Sequence, residues 1–137
     1  MKKLIALLSV SILLTACQTT NPRFDYINTN ITSVNNYISV NKEEMSVLRN
    51  KIMNKCMWEP LERIKRSTTI NDIFKYTLNG IIVFQLDETG KIIATFYESK
   101  ERNPTASKCI SSTAVGHKLP QPEGIEYIYA KYERKVE

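Results

Sequence analysis

Two spacings organise the apolar residues of this chain, and each predicts a different kind of element. Met45, Leu48, Ile52 and Cys56 recur at i, i+3, i+7 and i+11, which places them on one face of a helix. Glu43, Arg49, Lys51 and Lys55 fill much of the remainder. Asn41 is the predicted N-cap, and Glu44 three residues on fits a capping box. Trp58 and Pro60 follow, so the helix is expected to end there with the indole plugging it against a sheet. From Gly80 the period shortens. Residues 81–87 are rich in β-branched side chains and read as a strand, residues 88–90 as a hairpin turn, and residues 91–98 as the returning strand. Asn103-Pro104 is a cap followed by proline at the first helical position. Ala106, Cys109, Ile110, Thr113 and Ala114 then recur at helical spacing, and Gly116 is suited to end that helix. Leu119-Pro120-Gln121-Pro122 is extended by its prolines. Residues 125–132 alternate as a third strand, with Tyr127 and Tyr129 on one face and Ile128 and Ala130 on the other. The order helix, hairpin, helix, strand predicts an α+β fold, a small three-stranded antiparallel sheet packed by two helices.

The first forty residues follow neither period. Lys2 and Lys3 precede an apolar stretch over residues 4–16, too short to span a bilayer and suited to a secretory signal. Leu14-Thr15-Ala16-Cys17 resembles a bacterial lipobox, in which small residues admit the chain to a signal peptidase and the Cys17 thiol accepts a diacylglycerol. Gln18 after the cysteine, in place of aspartate, resembles the sorting signal of enterobacterial lipoproteins bound for the outer membrane. Residues 18–40 are rich in Asn, Thr and Ser and read as a tether, about 23 residues with a typical reach of roughly 25–30 Å. Tyr26, Ile27, Ile31, Val34, Tyr37 and Ile38 give that tether apolar groups that can dock on the domain. The expected organisation is therefore a signal peptide over residues 1–16, a lipidated cysteine and tether over 17–40, and a domain over 41–137.

Export changes the meaning of the remaining cysteines. With Cys17 lipidated, Cys56 and Cys109 are left as an even pair in an oxidising compartment, either bridged or two buried thiols; the compartment favours the bridge. A bridge would close a loop of about 54 residues, contributing roughly 4 kcal/mol in a chain-entropy treatment.

Composition narrows the function classes. The formal charge of +5 falls to +3 when Lys2 and Lys3 are removed with the signal, too little to indicate nucleic acid. A single histidine, His117, argues against multi-histidine metal sites and against most acid–base mechanisms. Ser107, Ser111 and Ser112 lack nucleophile-elbow spacing, and Asp87 and Glu88 flank a turn. No enzyme activity, metal or cofactor is expected. Residues 61–79 carry the least pattern; Arg63, Lys65 and Arg66 there read as a solvated helix face or as a site for phosphate headgroups or an acidic partner.

Trp58-Glu59-Pro60, the strand–turn–strand Phe84-Gln85-Leu86-Asp87-Glu88-Thr89-Gly90-Lys91-Ile92, the helix after Asn103-Pro104, and Leu119-Pro120-Gln121-Pro122 before a last strand form an ordered set. In that order residues 41–135 resemble the C-terminal domain of the TonB and TolA energy-transducer families, TolA more closely. The TolA domain also carries a cysteine in its second helix, here Cys109, paired with an upstream one. Those transducers use a transmembrane helix and a long stalk, where this chain has a lipobox-like segment and a short tether. The resemblance implies a protein-binding module that grips periplasmic segments of outer-membrane proteins, bacteriocins or phage coat domains. The implied mode is addition of a partner strand to a sheet edge. Ile125, Tyr127, Tyr129 and Lys131 on the last strand are the candidate partner-binding residues. The expected setting is the outer membrane, lipid-anchored and facing the periplasm. The other class considered is an accessory lipoprotein that assists assembly of an outer-membrane secretion or pilus complex.

Overall fold

The most apolar run of the chain becomes the centre of the sheet. In the computed structural model, which describes residues 21–64, 73 and 75–132, β1 (Gly80–Leu86) lies between β2 (Ile92–Ser99) and β3 (Tyr127–Tyr132), all antiparallel, in the order β2-β1-β3. Ile82, Val83, Phe84 and Leu86 are buried although alternate residues point to opposite faces, because both faces are covered. The hairpin is fixed by the Asp87 carboxylate. Its Oδ1 accepts from the Thr89 hydroxyl at 2.7 Å and from the amides of Thr89 and Lys91 at 2.9 and 3.0 Å. The Thr89 hydroxyl bond, ahead of the backbone bonds, holds that carboxyl below the ordinary aspartate range. Gly90 closes the turn at φ 92°, and a Cβ there would strike the carbonyls of Leu119 and Pro120. That close approach lets the Leu119 amide donate to the Gly90 carbonyl at 2.9 Å, and the Ile92 amide to the His117 carbonyl at 2.9 Å. Residues 116–119 thus cover the outer edge of β2 at its start.

The helices divide between the two faces. The expected tether is helical: α1 (Pro22–Thr29) and α2 (Ile31–Val40) run into α3 (Lys42–Met53) with breaks at Asn30 and Asn41. Helices of 8 and 10 residues are too short to persist alone in water. Burial of Ile27, Val34 and Tyr37 holds them, at about 1.5–3 kcal/mol for each large apolar side chain. They cover the face carrying Val83 and its cross-strand partners Phe96 and Tyr129. The Arg23 guanidinium sits 3.4 Å from the Phe96 ring centre, and Tyr26 meets Tyr127 edge-on with centroids 5.3 Å apart. On the opposite face α3 and α5 (Pro104–Ala114) bury Met45, Leu48, Ile52, Ala106, Ile110 and Ala114, the helical faces that the spacing predicts. Asn103 caps α5 by accepting from the Ala106 amide at 3.1 Å, and its own amide group donates to the Lys75 carbonyl.

Three local expectations are corrected. Asn41 does not cap α3; its side-chain amide donates backward to the Tyr37 carbonyl, ending α2 instead. Trp58 is 53% exposed and plugs nothing. The helix does not stop there, but widens into a π turn over Asn54–Trp58 and continues as α4 (Glu59–Ile64). The widened turn accommodates Pro60, which has no amide to donate and whose ring would crowd the carbonyl four residues back. It also turns both Cys56 and Met57 into the core and leaves Trp58 outside. The last strand begins at Tyr127 and not at residue 125.

The structure joins Cys56 to Cys109, with Cα atoms 5.6 Å apart, so the π turn is tied to α5. Protein purified without reductant is expected to resist alkylation at both cysteines and to lose about 4 kcal/mol of stability on reduction. Quantitative labelling of both thiols before reduction would contradict the bridge.

Candidate functional site

The register decides which backbone groups the sheet leaves open. Leu86 donates to the Glu126 carbonyl at 2.8 Å, one step beyond the Gln85–Tyr127 pair. Hydrogen-bonded pairs alternate along an antiparallel ladder. The hydrogen-bonded partners of β1 are therefore Ile128, Ala130 and Tyr132, across from Phe84, Ile82 and Gly80. The amides and carbonyls of Tyr127, Tyr129 and Lys131 face away from β1.

A groove of about 460 Å³ lies against this edge, lined by Asn35 and Ile38 of α2, by Lys42, Met45, Ser46 and Arg49 around α3, and by Tyr129, Ala130 and Lys131. Successive side chains of a strand point to opposite faces, so three consecutive residues can line one groove only along the strand's edge. The wall opposite β3 is one helical stripe, since residues 42, 45, 46 and 49 stand at i, i+3, i+4 and i+7. The apolar part of the lining comes from Met45, Ile38 and Ala130. The charged lining residues are Lys42, Arg49 and Lys131, with no carboxylate among them. The Arg49 guanidinium stands 5.3 Å from the ring centre of Tyr132, whose buried hydroxyl has no hydrogen-bond partner. Burial pushes that phenol well above its usual pKa, against the opposing effect of Arg49.

The connector before β3 is held by two phenols from the helices. The Tyr26 hydroxyl donates to the Gly124 carbonyl at 3.3 Å and accepts from the Glu126 amide at 2.9 Å. The Tyr37 hydroxyl donates to the Pro120 carbonyl. Burial, with Glu44 adding to it, raises the Tyr37 phenol above its usual range, so it remains a donor.

The four candidate residues of the last strand separate. Tyr129 and Lys131 line the groove, and the Tyr129 hydroxyl is anchored to Asn35 Oδ1 at 2.8 Å. The Tyr127 ring is engaged by Tyr26, and Ile125 lines a different depression of about 420 Å³ beside Tyr37 and Pro120. Cys17, Lys65 and Arg66 lie outside the described residues. Arg63 donates to the Glu59 carbonyl of its own helix. The wall formed by Lys42, Met45 and Arg49 was not expected from the sequence, because only the placement of α2 and α3 brings it to β3.

Other chemistry does not converge in the same way. Burial pushes the His117 imidazole below its usual pKa and the Lys51 charge adds to this. Its backbone is part of the clasp on β2. The Ser112 hydroxyl donates to the Cys109 carbonyl. Among the described residues, no three His, Cys, Asp or Glu side chains gather as metal ligands. No described helix is long and apolar enough to cross a membrane. The chain matches no protein-family model, no curated protein and no solved structure.

The phase of the edge is testable with proline, which cannot donate to a ladder. Ala130→Pro removes an inward amide and is expected to cost at least about 2 kcal/mol in urea unfolding. Lys131→Pro removes an outward amide, and proline is tolerated on sheet edges, so a cost within about 1 kcal/mol is expected. Equal costs, or the reverse order, would contradict the assigned register.

Proposed function

We propose that the chain is a protein-binding module that takes up an extended segment of a partner as a fourth strand along β3. It is carried on a bacterial outer membrane, facing the periplasm, by lipid on Cys17. The observation that carries this reading is the β3 edge, where the backbone groups of Tyr129 and Lys131 face away from the sheet into a bounded groove. The reading also takes up the resemblance of residues 41–135 to TolA and TonB C-terminal domains, which rests on the sequence order of helix, hairpin, helix and strand. By that likeness the partners are periplasmic segments of envelope proteins, with a role in envelope integrity or in contact with bacteriocins or phage coats. Main-chain bonds to β3 supply affinity, and the side chains of the groove supply selectivity.

The test uses a photo-crosslinking residue in place of Ser46, on the groove wall, in intact cells. An adduct with a discrete envelope protein is expected, and it should disappear when Lys131→Pro is added although the domain remains folded. Cys17→Ser should abolish palmitate incorporation and release the protein from the outer-membrane fraction. An adduct that survives Lys131→Pro unchanged would remove β3 from the binding site. Palmitate labelling that survives Cys17→Ser would remove the lipid anchor.

A further inference from the structure

Resting on the strand-addition reading, we infer that the groove selects an acidic partner segment, one that presents acidic, apolar and acidic side chains at positions i, i+2 and i+4 of an extended chain. The selection comes from the α3 wall. Lys42, Met45 and Arg49 lie on one helical stripe, with the two cations seven residues apart, about 10.5 Å along the axis. Same-face residues i and i+4 of a strand stand about 13 Å apart, and the long lysine and arginine side chains make up the difference. An added strand would therefore set one carboxylate by Lys42, an apolar side chain on Met45, and a second carboxylate by Arg49.

The charge pattern favours this occupant over a neutral one. The groove holds Lys42, Arg49 and Lys131 and no acidic residue. Among the described residues neither Lys42 nor Lys131 has an ion-pair partner, and Arg49 rests over the Tyr132 ring. Like charges on a partly apolar lining raise the local concentration of an anionic ligand and disfavour a cationic one.

The experiment measures fluorescence anisotropy with the full chain in a non-ionic detergent. Three labelled seven-residue peptides are compared: threonine throughout except valine at the centre and, two residues to either side, glutamate, glutamine or lysine. The glutamate peptide is expected to bind at least tenfold more tightly than the glutamine peptide at low salt, with the lysine peptide weakest. The preference should shrink as salt is raised. The pair Lys42→Gln and Arg49→Gln should cut the glutamate-over-glutamine preference to about twofold or less, the remainder coming from Lys131. Arg49→Lys should keep the preference, which separates charge from the packing of Arg49 on Tyr132. Thermal unfolding of each variant checks that the domain is intact.

Equal binding of the glutamate and glutamine peptides would overturn the acidic selection and leave strand addition standing. Failure of all three peptides to bind would overturn both. Binding of phosphatidylglycerol vesicles but not phosphatidylcholine vesicles, lost in the double variant and without any peptide binding, would make the groove a headgroup site and overturn the proposal.

Discussion

The Tyr26 hydroxyl is the contact on which the open edge depends. It accepts a hydrogen bond from the Glu126 amide, one residue before β3, and donates one to the Gly124 carbonyl. Both groups belong to a connector whose Pro120 and Pro122 hold the residues before them extended and have no amides to donate. Without the phenol, the amide that opens β3 would need another acceptor. Tyr37, eleven residues on, does the same for the Pro120 carbonyl. Each tyrosine also accepts, at its backbone carbonyl, the side-chain amide of the asparagine four residues later, Asn30 and Asn41. The same four-residue device therefore ends α1 and α2 and places both hydroxyls on one connector.

On the other face the constraint is covalent. The bridge between Cys56 and Cys109 joins the π turn to α5, whose cap at Asn103 is tied to Lys75 just before β1. The sheet is thus held from the two sides by different means, phenol hydrogen bonds on one and a crosslink on the other. The hairpin side of the sheet is closed at its start by residues 116–119. The β3 side keeps its outward groups, with α2 touching the strand through the Asn35–Tyr129 hydrogen bond and α3 standing across the groove as its far wall. That separation makes the groove a property of the whole helical arm and not of β3 alone.

Much of the sheet was legible because its signals are local. The turn at residues 88–90 with Gly90 specifies the hairpin, Asn103-Pro104 specifies the start of α5, and the 45, 48, 52, 56 spacing specifies the buried face of α3 and of the π turn after it. The arm over residues 22–40 was not legible from propensity, since Asn, Thr and Ser are poor helix formers and its stability comes from docking Ile27, Val34 and Tyr37. One signal could have exposed it: Asn21-Pro22 repeats the cap-and-proline pair of Asn103-Pro104, and the Asn21 side chain does accept from the Arg23 amide. Trp58 was misplaced because a π turn leaves no periodic trace in so short a segment. At the candidate site, Tyr129 and Lys131 were reached as members of the expected edge strand, but which amides face outward depends on register against β1, which the sequence pattern cannot supply.

Residue-resolved amide hydrogen exchange by NMR, with and without the glutamate peptide at saturation, tests the strand-addition account most directly. The free protein should exchange quickly at Tyr129 and Lys131 and slowly at Ile128 and Ala130. Peptide should slow Tyr129 and Lys131 at least tenfold and leave the inward pair unchanged. Bound peptide that leaves exchange at Tyr129 and Lys131 unaltered would contradict the addition of a fourth strand at β3.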